Sequence, residues 1–406
     1  MRIRLEHPNR QTFGEIVITG SKSESNRLLI LQALYPQIKL ENISNSDDTK
    51  VTKKALDSKA KIIDINHAGT AMRFLTAYFS SQTNREILLT GSERMQERPI
   101  KILVDALKDL GAEITYKKNN GYPPLVIKGK KIIHDNISLP SNVSSQYITA
   151  LMLIAPTLKK GLKINLVGMV TSAPYIKMTQ LIMDKLGFET FFKKNQIKIS
   201  PAHKIESKTL KIESDWSSAS YFYSIAALSN KSRLILKTFN KISIQGDANL
   251  SKIYRKLGVE TSFDNGFITL LKISNFDLPN TVNFDLSDTP DIAQTIAISC
   301  LGLSIGCTMT GLHTLKVKET DRLAALKNEM EKLGAKVEIT NQSLKLHPNS
   351  KLKSEIAINT YNDHRMAMAF APLALKIPLI INDSNVVTKS YPAFWDDLKT
   401  IKFSYV

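Results

Sequence analysis

Cysteine is nearly missing: the 406 residues hold only Cys300 and Cys307, inside the apolar stretch 298–309 and without a neighbouring histidine. That spacing excludes a disulfide framework and a Cys-x-x-Cys metal site, and predicts two small buried hydrophobes in a reducing compartment. The longest apolar runs, such as 148–158, are too short to cross a bilayer. The start, Met1-Arg2-Ile3-Arg4-Leu5-Glu6, alternates like a strand and has no apolar signal core, so a cytoplasmic protein is expected. His-Glu-x-x-His, a calcium loop and Gly-x-Gly-x-x-Gly are all absent, so neither a metal nor a dinucleotide cofactor is expected. Aromatics make up 7% and do not interleave with a basic patch, which argues against base stacking on nucleic acid. Acidic residues are also short, at 37 Asp and Glu against 55 Lys and Arg, for a formal charge of +18.

Two readings of that charge stay open: solvated surface runs such as Lys117-Lys118-Asn119-Asn120, or a basic site that attracts anionic small molecules or nucleic acid. The chain length suggests about two or three domains. An internal repeat gives more. Leu110-Gly111, Leu186-Gly187, Leu257-Gly258 and Leu333-Gly334 each follow a helix-period segment and precede alternating strand residues, roughly 75 residues apart. Glycine is suited to the left-handed residue that ends a helix. Weaker copies are expected at 54–63 and 394–399, which would make six α/β units, three in each of two domains. The period is too long for a solenoid.

The charged and hydroxyl residues gather at turns that lead from strands into helices, where free N–H groups and the helix dipole favour anions. Gly20-Ser21-Lys22-Ser23-Glu24-Ser25-Asn26-Arg27 carries Ser21 and Glu24 at capping-box spacing, and its spacing from Gly14 does not fit a nucleotide-phosphate loop. His67-Ala68-Gly69-Thr70-Ala71-Met72-Arg73 and Ser92-Glu93-Arg94-Met95-Gln96-Glu97-Arg98-Pro99 repeat the construction, as do Ser144-Ser145-Gln146 and Ser172-Ala173-Pro174-Tyr175. Asp291, Lys318-Glu319-Thr320-Asp321-Arg322, Asn362-Asp363-His364-Arg365 and Lys389 follow in the second half. Asp215-Trp216-Ser217 reads as a structural cap. Each segment taken singly is equally a capped helix with a solvated face, whereas arginine forks and an ionised Asp291 suit anion binding and general base work.

In order, Gly-Ser-Lys-Ser at 20–23, Ala-Gly-Thr-Ala-Met-Arg at 68–73, Arg-Met-x-Glu-Arg-Pro at 94–99, Ser-Ser-Gln at 144–146, Val-Lys-Glu-Thr-Asp-Arg at 317–322, Asp-His-Arg-Met-Ala-Met at 363–368 and Lys389 resemble the 5-enolpyruvylshikimate-3-phosphate synthase family of enolpyruvyl transferases. The resemblance implies a two-domain inside-out α/β barrel of six βαβαββ repeats. Its discontinuous domain would hold 1–19 plus 215–406, the other 20–214, with the active site in the cleft between them. It implies that Lys22, Ser23, Arg27, Ser144, Ser145, Gln146, Ser172, Tyr175, Asp291 and Lys318 bind shikimate 3-phosphate. Phosphoenolpyruvate would meet Lys22, Gly69, Arg94, Gln146, Arg322, Arg365 and Lys389. Asp291, Glu319 and Lys22 would be catalytic, with no cofactor, no metal, no nucleic-acid or membrane partner, and a monomeric enzyme.

His67, Phe74 and Thr314 depart from the family pattern, where asparagine, proline and asparagine are common. Gly69 implies an open phosphoenolpyruvate pocket and glyphosate sensitivity, with Phe74 as the position that would alter it. The related UDP-N-acetylglucosamine enolpyruvyl transferases use a loop cysteine, and neither cysteine here lies in such a loop. An RNA-binding module of similar repeat architecture is the remaining reading, and salt-sensitive RNA retention would support it.

Overall fold

A computed structural model describes residues 1–141, 144–168, 173–348 and 351–406. The chain divides into two compact units, Met1–Thr19 with Glu213–Val406, and Gly20–Ile212.

The Leu-Gly phrases are helix ends. Helices Lys101–Asp109, Ala173–Leu186, Leu250–Arg255 and Arg322–Lys332 give way to Gly111, Gly187, Gly258 and Gly334, with φ of +106°, +92°, +79° and +95°. The left-handed turn lets the next amide reach back to an orphan carbonyl, as in Ala112 N–H to Leu107 O at 2.9 Å and Ala335 N–H to Met330 O at 3.1 Å. A hairpin follows each turn: Glu113–Tyr116 with Leu125–Lys128, Thr190–Lys193 with Gln196–Ile199, Val259–Asp264 with Phe267–Lys272, and Val337–Ile339 with Leu344–Leu346. The outgoing strand of each hairpin pairs with one member of a parallel pair, so these four-stranded sheets share one order.

The two weak copies depart from that plan differently. After helix Phe394–Thr400, Lys402 takes the glycine's place at φ +74°, and Ser404–Tyr405 pairs with Ile3–Glu6. The N-terminal strand thereby supplies the fourth strand of its sheet. The copy expected at 54–63 lacks its hairpin. Helix Asp47–Asp57 ends on extended Ser58, with no glycine to turn the chain back, and Ile62–Asp64 opens the next sheet. What remains of that unit is the parallel pair Ile38–Glu41 and Lys208–Lys211.

The first helix of each repeat runs inside its unit. Trp216–Leu228, Ala293–Gly302 and His364–Phe370 pack on one another and are buried nearly throughout. Such helices carry no polar stripe, and their hydroxyls are bonded internally: Ser299 Oγ to Ser224 Oγ at 2.8 Å, Ser220 to Thr295 at 3.1 Å. Lys22–Leu34, Gly69–Ser80 and Ser145–Ile154 pack in the same way in the other unit. Because a helix that follows a parallel strand starts at that strand's carboxyl end, the motif-bearing turns of each sheet lie along one edge. Cys300 and Cys307 are free and buried, with a hydrogen bond between their thiols. No helix among the described residues is long and apolar enough to cross a membrane.

Candidate active site

In the unit containing residues 213–406, three helix starts converge on one ionic network. Asp363 caps helix His364–Phe370 by accepting from the Arg365 amide at 2.9 Å. Its carboxylate also accepts from Arg322 Nε at 2.6 Å. Arg322, 2% exposed, opens helix Arg322–Lys332 and spends its other nitrogens on Asp291 Oδ1 at 3.1 Å and Glu319 Oε2 at 2.9 Å. Glu319 receives Lys389 Nζ at 2.7 Å. Asp291, in the short turn Pro290–Ile292 before helix Ala293–Gly302, meets Lys318 Nζ at 3.3 Å and Arg365 Nη2 at 3.2 Å. Asp291, Lys318, Glu319, Arg322, Arg365 and Lys389 therefore form one cluster.

Burial alone would raise the Asp291 carboxyl, but Lys318, Arg365 and Arg322 outweigh it and hold the group well below its ordinary range. Burial likewise disfavours the Arg322 cation, yet Asp363, Glu319 and Asp291 raise its pKa above the usual value. Asp247 was not anticipated from sequence. It is buried in the short turn Gly246–Asn249, accepts from Ser217 Oγ, and lies beside Arg365, which also contacts Ser217 Oγ at 3.3 Å. Burial, then the charge of Asp291, pushes its carboxyl up to about 7, against the Ser217 hydrogen bond and Arg365. Asp215 caps helix Trp216–Leu228 through the Ser217 amide at 3.1 Å, as expected of a structural cap.

The other unit builds its charged positions differently. Lys22 opens helix Lys22–Leu34 after the Ser21 cap and pairs with Asp48 at 3.3 Å. Arg27 is buried; it donates to Ser23 O at 2.7 Å, Thr179 Oγ1 at 2.8 Å and Tyr175 O at 3.4 Å, with its guanidinium 5.7 Å from the centre of the Phe74 ring. Burial lowers its pKa to about 10, partly offset by Tyr175 and Glu24. Phe74, where the family commonly has proline, is thus an apolar neighbour of Arg27. Gln146 Nε2 donates to Thr70 Oγ1 at 3.1 Å, bringing together the starts of helices Ser145–Ile154 and Gly69–Ser80, and Ser144 caps the former by accepting from the Gln146 amide at 3.3 Å. Ser172 lies outside the described residues.

At Gly69 the neighbouring arginine is Arg98. A Cβ on Gly69 would sit 2.6 Å from Arg98 Nη1, and Arg98 Nε is buried without a hydrogen bond. Arg94, in the short helix Glu93–Gln96, is exposed and pairs with Glu97 at 2.8 Å. Pro99 O, next to Arg98, accepts from Arg73 Nη2 at 3.2 Å and from the Tyr147 hydroxyl at 2.6 Å, and Arg73 Nη1 also donates to Gly69 O at 3.1 Å. Arg73 so ties the loop to the helix start.

Buried guanidinium groups, an ionised carboxylate and helix N-termini form a set suited to small molecules with several negative charges. The family model for EPSP synthase (3-phosphoshikimate 1-carboxyvinyltransferase) matches residues 54–398. A Bacteroides fragilis protein named 3-phosphoshikimate 1-carboxyvinyltransferase is 44% identical, the alignment covering 99% of this chain and 98% of that one. Its namesake from Haemophilus influenzae is 35% identical, with 96% of each covered. A solved EPSP synthase from Acinetobacter baumannii shares the fold at TM-score 0.78 and 18% identity, over 100% of this chain and 99% of that one. With curated relatives matching along nearly its whole length, the chain belongs to the EPSP synthase (3-phosphoshikimate 1-carboxyvinyltransferase) family.

Proposed function

We propose that this protein transfers the enolpyruvyl group of phosphoenolpyruvate to the 5-hydroxyl of shikimate 3-phosphate, releasing phosphate. The observation that carries the reading, beyond family membership, is the network in which Asp291 and Glu319 share Arg322 and are flanked by Lys318, Arg365 and Lys389. In the first step a proton adds to the methylene carbon, and the hydroxyl oxygen bonds to the neighbouring carbon as its own proton leaves. In the second, the methyl group gives up a proton while the carbon–oxygen bond to phosphate breaks. Asp291 is the base for the hydroxyl, with Glu319 and Lys22 as proton carriers.

An ionised carboxylate touching three cations is a weak base. Anionic substrates that draw Lys318, Arg322 and Arg365 to themselves would loosen that hold and raise Asp291 towards a useful pKa. Arg322, Arg365 and Lys389, with Gly69, Lys22 and Gln146, are assigned to phosphoenolpyruvate. Arg94 belongs to the same assignment, and Arg98 lies beside Gly69. Shikimate 3-phosphate is assigned Lys22, Ser23, Arg27, Ser144, Ser145, Gln146, Ser172, Tyr175, Asp291 and Lys318. A monomer acting in the cytoplasm completes the reading.

Phosphate release from purified protein tests it, with shikimate 3-phosphate, phosphoenolpyruvate, both, or phosphoenolpyruvate with UDP-N-acetylglucosamine, and no added metal. Release only with the shikimate pair is expected, and D291N should slow it about 100- to 10,000-fold while remaining folded. Silence from folded protein with that pair would sink the proposal, and release with the sugar nucleotide would move it to the cell-wall relative.

A further inference from the structure

Glu329 is a fully buried carboxylate on helix Arg322–Lys332 that the reaction does not use. It accepts from the Tyr361 hydroxyl at 2.7 Å and the Asn359 amide at 3.0 Å, and from Lys332 Nζ at 2.8 and 2.7 Å. The segment it grips is unusual. Tyr361 and Asn362 both have left-handed backbones, with φ of +53° and +55°, a conformation that is costly for a bulky side chain and persists only where surroundings enforce it. The turn closes through Asp363 N–H to Thr360 O at 2.8 Å and leads directly into Asp363 and Arg365. Arg322 lies two helical turns before Glu329, on the same face, and holds Asp363 itself. One helix thus grips the turn at two points, by Arg322 at its end and by Glu329 at its beginning.

We propose that Glu329 is a positioning residue for phosphoenolpyruvate recognition: through Tyr361 and the Asn359 amide it holds the left-handed turn that presents Asp363 and Arg365. The proposal rests on the assignment of Arg365 to phosphoenolpyruvate. Without the clamp the two left-handed residues relax, Asp363 shifts from Arg322, and Arg365 loses its aim, whereas groups that meet shikimate 3-phosphate in the other unit keep theirs.

The test compares wild type with E329Q, Y361F, N362G and E329Q/N362G. E329Q should raise KM for phosphoenolpyruvate about tenfold while KM for shikimate 3-phosphate stays within about twofold. Y361F, which loses only the hydroxyl, should move the same constant by about threefold and carries the test if E329Q does not fold. Asn362 is exposed, so N362G alone should leave both constants unchanged, but in E329Q it relieves part of the backbone strain and should recover about half of the loss on a logarithmic scale. Amide exchange across 359–365 should quicken in E329Q and slow again in the double variant, a reading independent of turnover. An unmoved KM for phosphoenolpyruvate, equal rises in both constants, or exchange unchanged by E329Q would overturn the clamp. A wild type silent with both substrates would sink the proposed function instead, leaving the exchange comparison to judge the clamp.

Discussion

The two units hold their buried arginines by opposite means. In the unit with residues 213–406, Arg322 is surrounded by Asp363, Glu319 and Asp291, so its charge is neutralised internally. In the unit with residues 20–212, Arg27 rests on two carbonyls and a hydroxyl, and Arg73 donates to the carbonyls of Gly69 and Pro99. Carbonyl groups orient a guanidinium without cancelling its charge, so the second arrangement leaves more positive potential for an anion. The first balances Arg322 with carboxylates and leaves less of its charge for a ligand.

The sharpest way to break that contrast is to remove one buried arginine from each. R322M leaves Asp363 and Glu319 facing one fewer cation in a buried site, which should cost about 3–5 kcal/mol. R27M leaves neutral acceptors, one of them a threonine hydroxyl that also bonds Thr149, and should cost about 1–3 kcal/mol. Urea unfolding of the two variants measures the difference, and equal losses would erase the distinction.

A titration sharpens it further. Native Asp247 holds its proton up to about pH 7, against an ordinary carboxyl value of 3.8. Between those values the native protein binds more protons than the unfolded chain, so this group's stabilising contribution is complete below the lower value and is lost as pH rises through the upper one. Asp291 runs the other way, its contribution present above the ordinary carboxyl range and lost on acidification. D247N should therefore match wild type near pH 4 and gain on it steadily up to about pH 7 in thermal unfolding. A constant offset between the two curves would place the raised pKa elsewhere.

Much of this was readable in the chain because capping is local. Ser21, Ser92, Ser144, Asp321 and Asp363 each accept from an amide two or three residues on, so their turns were visible as motifs. The Leu-Gly repeats were visible for the same reason. Asp247 was not, because its partner Ser217 lies 30 residues away in the chain and Arg365 comes from another repeat, so only the fold brings them close. That Arg98 lies against Gly69 was not readable either, because the two sit on different elements that meet only in the fold. The missing hairpin after Asp57 was misjudged because apolar residues at 62 and 63 suit either strand role, and Ser58 alone marks the difference.

The smallest expected effect compares the same turn in the two units. Gly187 has φ +92° and nothing within 4 Å of where a Cβ would stand, so G187A reports backbone strain alone and should cost about 1 kcal/mol. Lys402 occupies the equivalent turn at φ +74° with its side chain exposed. K402G removes that strain but also gives the unfolded chain more freedom, and the two terms nearly cancel, leaving a net change of about 0.5 kcal/mol or less. If G187A proved as neutral as K402G, the glycines of the repeat would have no conformational reason to be there, and the Leu-Gly phrase would have to be explained by packing instead.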